Sequence, residues 1–174
     1  GGIFKISLDL TTTTTVLPAS FISGFSFISG FDLDLVNGKI YFIRPITTRE
    51  LWIANLDGSG QASIDTNSEA FDVVVDPDGG KVYHSSASFS PGTGRIVARD
   101  LVTGANAVSI VTNLASTLRG IAIDTNNGFI YWADGTSAVG RAQLNGTGKI
   151  DIVPGLNNPF DVALDFSTTP PPKL

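Results

Sequence analysis

Cysteine and methionine are absent from the 174 residues, histidine occurs once, and only Glu50 and Glu69 among the sixteen acidic residues are glutamates. Without cysteine there is no disulfide framework, no thiolate metal site and no cysteine nucleophile. A single histidine excludes His-paired metal sites and leaves a Ser-His-Asp arrangement possible but unsupported by any motif. Charged residues make up 16%, against roughly 25% in ordinary soluble chains, so the surface must be covered largely by Thr, Ser, Asn and Gly. The eleven Lys and Arg stand singly within a net charge of −5, which gives no basic stripe to neutralise phosphates or hold an anionic membrane. No window approaches about eighteen apolar residues, and no basic-then-apolar start marks a leader. Nucleic acid and membrane insertion are therefore set aside as partners, and the composition suits a secreted or cell-surface protein. A chain without methionine is expected to be processed or to derive from something longer.

What the chain does have is a repeat. Phe31-Asp-Leu-Asp-Leu-Val-Asn-Gly-Lys-Ile-Tyr41, Val73-Val-Val-Asp-Pro-Asp-Gly-Gly-Lys-Val-Tyr83 and Ile121-Ala-Ile-Asp-Thr-Asn-Asn-Gly-Phe-Ile-Tyr131 superimpose, with Asp34, Asp76 and Asp124 each seven residues before Tyr41, Tyr83 and Tyr131. A fourth opening, Phe160-Asp-Val-Ala-Leu-Asp165, repeats Phe71-Asp-Val-Val-Val-Asp76 without a following Tyr. The Asp positions are 42, 48 and 41 apart, the period of about 40 to 50 residues that four-stranded propeller blades require. Asn37-Gly38, Gly79-Gly80 and Asn127-Gly128 supply the positive φ angles of tight hairpins between short β-branched runs.

The fold class is accordingly all-β, a β-propeller of four-stranded blades with three full blades and half-blades at both termini. Residues 1–30 form a half-blade and connector, 31–70, 71–119 and 120–159 are blades, 160–166 is the first strand of a further blade, and 167–174 is a Pro-rich tail. Within the first part, Ile3 to Asp9 match a third strand and Thr11 to Leu17 a fourth. Phe21-Ile-Ser-Gly24 and Phe27-Ile-Ser-Gly30 form a tandem duplication in the connector. The inner strands, Asp72 to Val75 and Gly120 to Ile123, are expected to be covered on both faces by neighbouring blades.

Gly120-Ile-Ala-Ile-Asp124, Ile130-Tyr-Trp-Ala-Asp134 and Leu144-Asn-Gly146 resemble the YWTD repeat of low-density-lipoprotein-receptor class B-like six-bladed propellers. A degenerate bacterial relative of the same repeat matches equally well. The resemblance implies binding rather than catalysis, and it implies a blade-to-blade contact for Asp134. The earlier blades carry Tyr41-Phe-Ile-Arg44 and Tyr83-His-Ser-Ser86 at that place, so only Asp134 matches the motif's acid.

Recurrence at one place per repeat points to architecture for Asp34, Asp76, Asp124 and Asp165, whose carboxylates can set the following turn. Tyr41, Tyr83 and Tyr131 read as inter-blade core. His84 replaces an apolar strand position and reads as a hydrogen-bonded blade residue. Asp76-Pro-Asp78 lacks the further oxygens of a calcium loop, so neither metal nor cofactor is expected. Trp52, in a third strand near the rim, and Trp132 are candidate interface residues. Asn145-Gly-Thr147 fits a glycosylation site and, equally, a simple turn.

Open sheet edges are expected to close or to associate. The candidate contact residues are Asp161, Val162 and Leu164 at one end and Phe4 and Ile6 at the other. These features lead to a non-enzymatic protein-binding or assembly module that closes its incomplete blade by self-association, as a homo-oligomer or on another protein. The alternatives are a structural subunit of an extracellular filament built by strand donation and a lactonase-type propeller hydrolase, for which the inner-strand starts offer no Glu.

Overall fold

The computed structural model describes residues 3–6, 12–17, 28–44, 49–66, 68–86, 92–115 and 118–166. Those residues contain strands and no helix. An antiparallel pair, β1 (Ile3–Ile6) and β2 (Thr13–Leu17), comes first. Three four-stranded antiparallel sheets follow in chain order. The first is β3 (Phe31–Asp34), β4 (Lys39–Arg44), β5 (Glu50–Asn55) and β6 (Ala62–Asp65). The second is β7 (Ala70–Asp76), β8 (Lys81–Ser86), β9 (Gly94–Asp100) and β10 (Val108–Leu114). The third is β11 (Ile121–Asp124), β12 (Phe129–Ala133), β13 (Ala138–Gln143) and β14 (Ile150–Pro154). Each strand pairs with the next in sequence, the up-and-down order of a propeller blade.

Each blade opens on the same turn chemistry. Asp34 Oδ1 accepts the Asn37 N–H at 2.9 Å and its Oδ2 accepts the Asn37 side-chain amide at 2.8 Å. Asp124 and Asn127 repeat both bonds at 3.1 and 2.7 Å, and Asp76 accepts the Gly79 N–H at 2.9 Å. All three carboxylates are buried, so the amides they satisfy also make their own burial tolerable. Asp165 is exposed.

Apolar side chains fill the three joints between successive sheets. Ile3 of β1 meets Ile40, Phe42 and Ala54. Tyr41, Ile43 and Leu51 meet Ala70, Val73, Val75, Val82 and Leu101, and the Tyr41 hydroxyl donates across the joint to the Leu101 carbonyl at 2.8 Å. Tyr83, Ile96, Val111 and Leu114 meet Leu118, Ile121, Ile130 and Trp132. Each Val, Leu, Ile or Phe among them contributes about 1.5–3 kcal/mol through burial. The second strands β4, β8 and β12 are covered on both faces, whereas β3 leaves Phe31 and Leu33 exposed. The inner strands expected to be covered, Asp72 to Val75 and Gly120 to Ile123, are buried or half-buried at every position, and of the three first strands β3 alone carries exposed residues.

Close backbone approaches fix where the first pair sits. A Cβ on Gly146, in the β13–β14 turn, would lie 1.8 Å from the Ile110 carbonyl oxygen of β10, and one on Gly104, in the β9–β10 turn, 1.9 Å from Ile64 of β6. Gly58, in the β5–β6 turn, stands 1.8 Å by the same measure from the Val16 carbonyl oxygen of β2. Thus β2 relates to the first full blade as β6 does to the second and β10 to the third, so β1 and β2 are the outer half of a preceding blade. The connector through residue 27 and the Pro-rich tail at 167–174 lie outside the described residues.

Residues 160–166 do not form the strand expected of them; only Asp165 makes an isolated bridge. Their main chain nevertheless runs where an inner strand belongs, with the Gly120 N–H donating to the Phe160 carbonyl at 3.1 Å. A ladder needs a neighbouring strand, and the described residues supply none there. Phe160 and Phe166 are consequently 69% and 58% exposed.

Candidate functional site

The inner strands begin at one end of the channel, and four equivalent positions, Gly30, Asp72, Gly120 and Asp161, alternate glycine with aspartate there. The alternation is steric. A Cβ on Gly30 would fall 2.3 Å from Asp72 Oδ1, and one on Gly120 would fall 1.9 Å from Asp161 Oδ1, so each glycine makes room for the next blade's carboxylate.

These carboxylates also hand a hydrogen bond onward from blade to blade. Asp72 Oδ2 accepts the Ile121 N–H at 2.9 Å. Asp32, two residues further along its strand, accepts the Val75 N–H at 2.8 Å and its own Leu33 N–H at 2.8 Å. Asp161 Oδ1 accepts its own Val162 N–H at 2.8 Å, and among the described residues it takes no bond from a further blade. Burial pushes the Asp72 carboxyl up to about 6 despite the two amides it accepts, and the charges of Asp161 and Asp32 add to the shift. Asp32 is raised as well, again chiefly by burial.

The residues one step earlier, Ser29, Phe71, Arg119 and Phe160, ring the mouth of a cleft of about 410 Å³ that Ile28, Arg49, Asp72, Gly120 and Asp161 also line. Arg49 reaches in from just ahead of β5, because the end of β4 and the start of β5 lie on the same side of the sheet as the start of β3. Its guanidinium carbon stands 3.5 Å from the Phe71 ring centroid; that of Arg119 stands 4.9 Å from the same ring and 5.4 Å from Phe160. Arg49 is held at φ +35°, a strained value for a residue with a side chain, and its carbonyl accepts the Ser68 hydroxyl. The guanidinium pKa of Arg49 is lowered by burial and by the charge of Arg119, with Glu69 acting the other way.

The sequence candidates are distributed differently. Trp132 is 1% exposed and packs where a Cβ on Gly140 would meet its ring, so it is a core residue and offers no surface to a partner, contrary to its reading as an interface side chain. Trp52 is half-buried, donates from Nε1 to Glu50 at 2.7 Å and lies under Arg44, which ties it to its own blade. Phe4 and Ile6 lie on β1 in register with Thr15 and Thr13. Val162 and Leu164 are half-buried beside the exposed Asp161. Tyr41, Tyr83 and Tyr131 are buried, and burial raises the Tyr41 hydroxyl to about 12. Asp134 Oδ1 accepts the Thr136, Ser137 and Ala138 amides at 2.7–3.0 Å, contacts inside its own blade. Asn145 sits in the β13–β14 turn and accepts the Thr147 N–H at 3.0 Å and hydroxyl at 2.7 Å.

His84 is 1% exposed, and its Nε2 accepts from Arg99 Nε at 3.3 Å. Burial and the charge of Arg99 hold it down to about 4, so it is a neutral core residue that does not line the cleft. The cleft itself was missed in the sequence. Its two arginines come from different repeat positions, and only the ring of blades brings them to one phenylalanine.

No family model matches the chain. Among solved structures it is similar to a chain of a crystallised nidogen–laminin complex, with a TM-score of 0.76 and 21% identity over 95% of this chain and 63% of that one. TolB from Acinetobacter baumannii gives 0.67 and 14% over 90% and 39% of the two chains. A gluconolactonase from Xanthomonas campestris gives 0.69 and 14% over 95% and 59%. The chain thus spans less than two thirds of these relatives. Binding proteins and enzymes share this architecture, and what the likeness carries is the fold: an incomplete β-propeller.

Proposed function

We propose that the chain is a non-enzymatic protein-binding module, working outside the cytoplasm, that assembles through the inner-strand segment 160–166. The observation behind this reading is the relay of carboxylates. Asp32 and Asp72 each clip the next blade's inner strand by a backbone N–H, and Asp161 presents the same group, already bonded to its own amide, at an exposed edge. Phe160 and Phe166 add exposed apolar area beside it.

In the proposed contact, the segment 160–166 of one copy supplies the innermost strand and the β1–β2 pair of a second copy supplies the outer strands of one composite sheet of three strands. Main-chain hydrogen bonds would give affinity and the carboxylate clip would set register. Burial of the one histidine against Arg99 argues against hydrolytic chemistry built on a Ser-His pair.

Light scattering across a concentration series tests the assembly. The expected result is a mass above that of one chain that falls to one chain in Asp161→Arg or Leu164→Asp. A wild-type monomer at every concentration would overturn the self-association.

A further inference from the structure

Two arginines share one aromatic ring at the cleft mouth, and the described residues give neither guanidinium a carboxylate partner. Arg119 Nε is buried without a hydrogen-bond partner among the described residues, and so is the hydroxyl of Ser29, which also lines the cleft. Buried donors left unpaired are rare because each forfeits its bonds to water. The acids that line the cleft are committed elsewhere, Asp72 to the Ile121 amide and Asp161 to that of Val162. Glu69 acts on the charge of Arg49 but forms no ion pair with it.

What would complete this arrangement is a planar acceptor with negative charge. A guanidinium offers parallel N–H groups whose spacing matches the two oxygens of a carboxylate, and stacking on phenylalanine fixes the plane of that fork. The two carboxylates on the wall oppose the two arginines in charge, which favours a monoanion over a phosphate dianion. Phe71 and Phe160 flank the arginines and offer apolar surface to the carbon stem of such a group.

We propose that this cleft binds a carboxylate, held by Arg49 and Arg119 with the Ser29 hydroxyl as a further donor. The proposal rests on the reading of the chain as a protein-binding module and deepens it, because an acidic side chain of a partner protein has this chemistry. It does not require assembly through 160–166. Strain at Arg49 is consistent with a side chain positioned for a ligand rather than for the blade.

Titration calorimetry on the full chain at neutral pH provides the test, with three probes: a doubly capped Gly-Glu-Gly peptide, its Gly-Gln-Gly counterpart, and free propionate. Binding of the Glu peptide, at least tenfold weakened in Arg119→Gln and weakened less in Arg49→Lys, is the expected result. Propionate binding as tightly as the Glu peptide would place recognition in the carboxylate alone; a tighter peptide would add its backbone. A rise in wild-type melting temperature with sodium propionate over equal sodium chloride gives a reading that needs no variant. Absence of binding by both anionic probes, equal binding of the Gln peptide, or unchanged affinity in a folded Arg119→Gln would each overturn the site. Light scattering on the same samples reports assembly separately, so one idea can fail without the other.

Discussion

Replacing Asp72 by asparagine should expose a pH dependence that the native chain conceals. Asp72 binds its proton more tightly folded than unfolded, at about 6 against an ordinary 3.8. As pH rises from 5 to 7 the folded state must release a proton that the unfolded state has already lost, so this group removes stability, roughly 1.3 kcal/mol over that interval. His84 has the opposite sign. Its folded value of about 4 lies below the ordinary 6.5, so the unfolded state holds the proton across the same window. Stability from the histidine is therefore gained as pH rises, by roughly 1.8 kcal/mol between pH 5 and 7.

The two contributions nearly cancel, leaving a rise of roughly 0.5 kcal/mol with pH in the native protein. Asp32, also raised, trims that remainder further. Urea unfolding at fixed ionic strength, followed by tryptophan fluorescence at half-unit steps from pH 5 to 7, reads the slopes directly. Asp72→Asn should lose close to 2 kcal/mol on acidification from pH 7 to 5, and His84→Gln should instead gain about 1 kcal/mol over the same change. Coincident profiles for wild type and Asp72→Asn would refute the argument, because they would mean that the inner-strand carboxylate is not desolvated in the folded chain.

Trp132→Ala should cost about 3–5 kcal/mol, since the indole fills the joint between the second and third blades against Gly140; urea midpoints measure it. Asp124→Ala removes the acceptor of both Asn127 bonds inside a buried turn and should cost about 1–3 kcal/mol, with Asp124→Asn recovering part of it in the same assay. Gly120→Ala should push Asp161 away and release residues 160–166 while leaving the third blade folded, which hydrogen exchange at the Gly120 amide would detect. Adding Asp161→Gly to that variant should restore the protection only in part, because it removes the carboxylate oxygen at 1.9 Å but leaves the main-chain Cα of residue 161 at 2.9 Å.

Much of the blade architecture was legible because propeller turns demand specific residues. The Asp-to-Tyr spacing phases β3–β4, β7–β8 and β11–β12, and the Asn-Gly and Gly-Gly pairs mark the hairpins between them. Burial of Trp132 was not legible, because a strand position alternating with Tyr131 fits an outward and an inward side chain equally. The pocket under it exists only because position 140 is glycine on the paired strand. The Arg49–Phe71–Arg119 cluster was hidden for a related reason: its members lie on a loop, a strand start and the connector into the third blade, with no common spacing.

The joints between blades show why a repeat so uneven in sequence can still form one continuous stack. Apolar residues at each joint are interchangeable in kind, since burial is non-directional, so Tyr41, Tyr83 and Ile3 serve at successive joints with different neighbours. Register needs something directional, and one steric and one polar device supply it. At the outer edge a turn glycine abuts the preceding blade's fourth strand; at the inner edge a carboxylate accepts the next blade's N–H. Arg99 adds a third tie by bonding Asp65 across the first and second blades. Because the inner clip moves from Asp32 in one blade to Asp72 in the next while each still meets the amide one position further along, what the chain conserves from blade to blade is the bond geometry and not the residue. The same rule, applied to Asp161, specifies the backbone amide that an arriving inner strand must present.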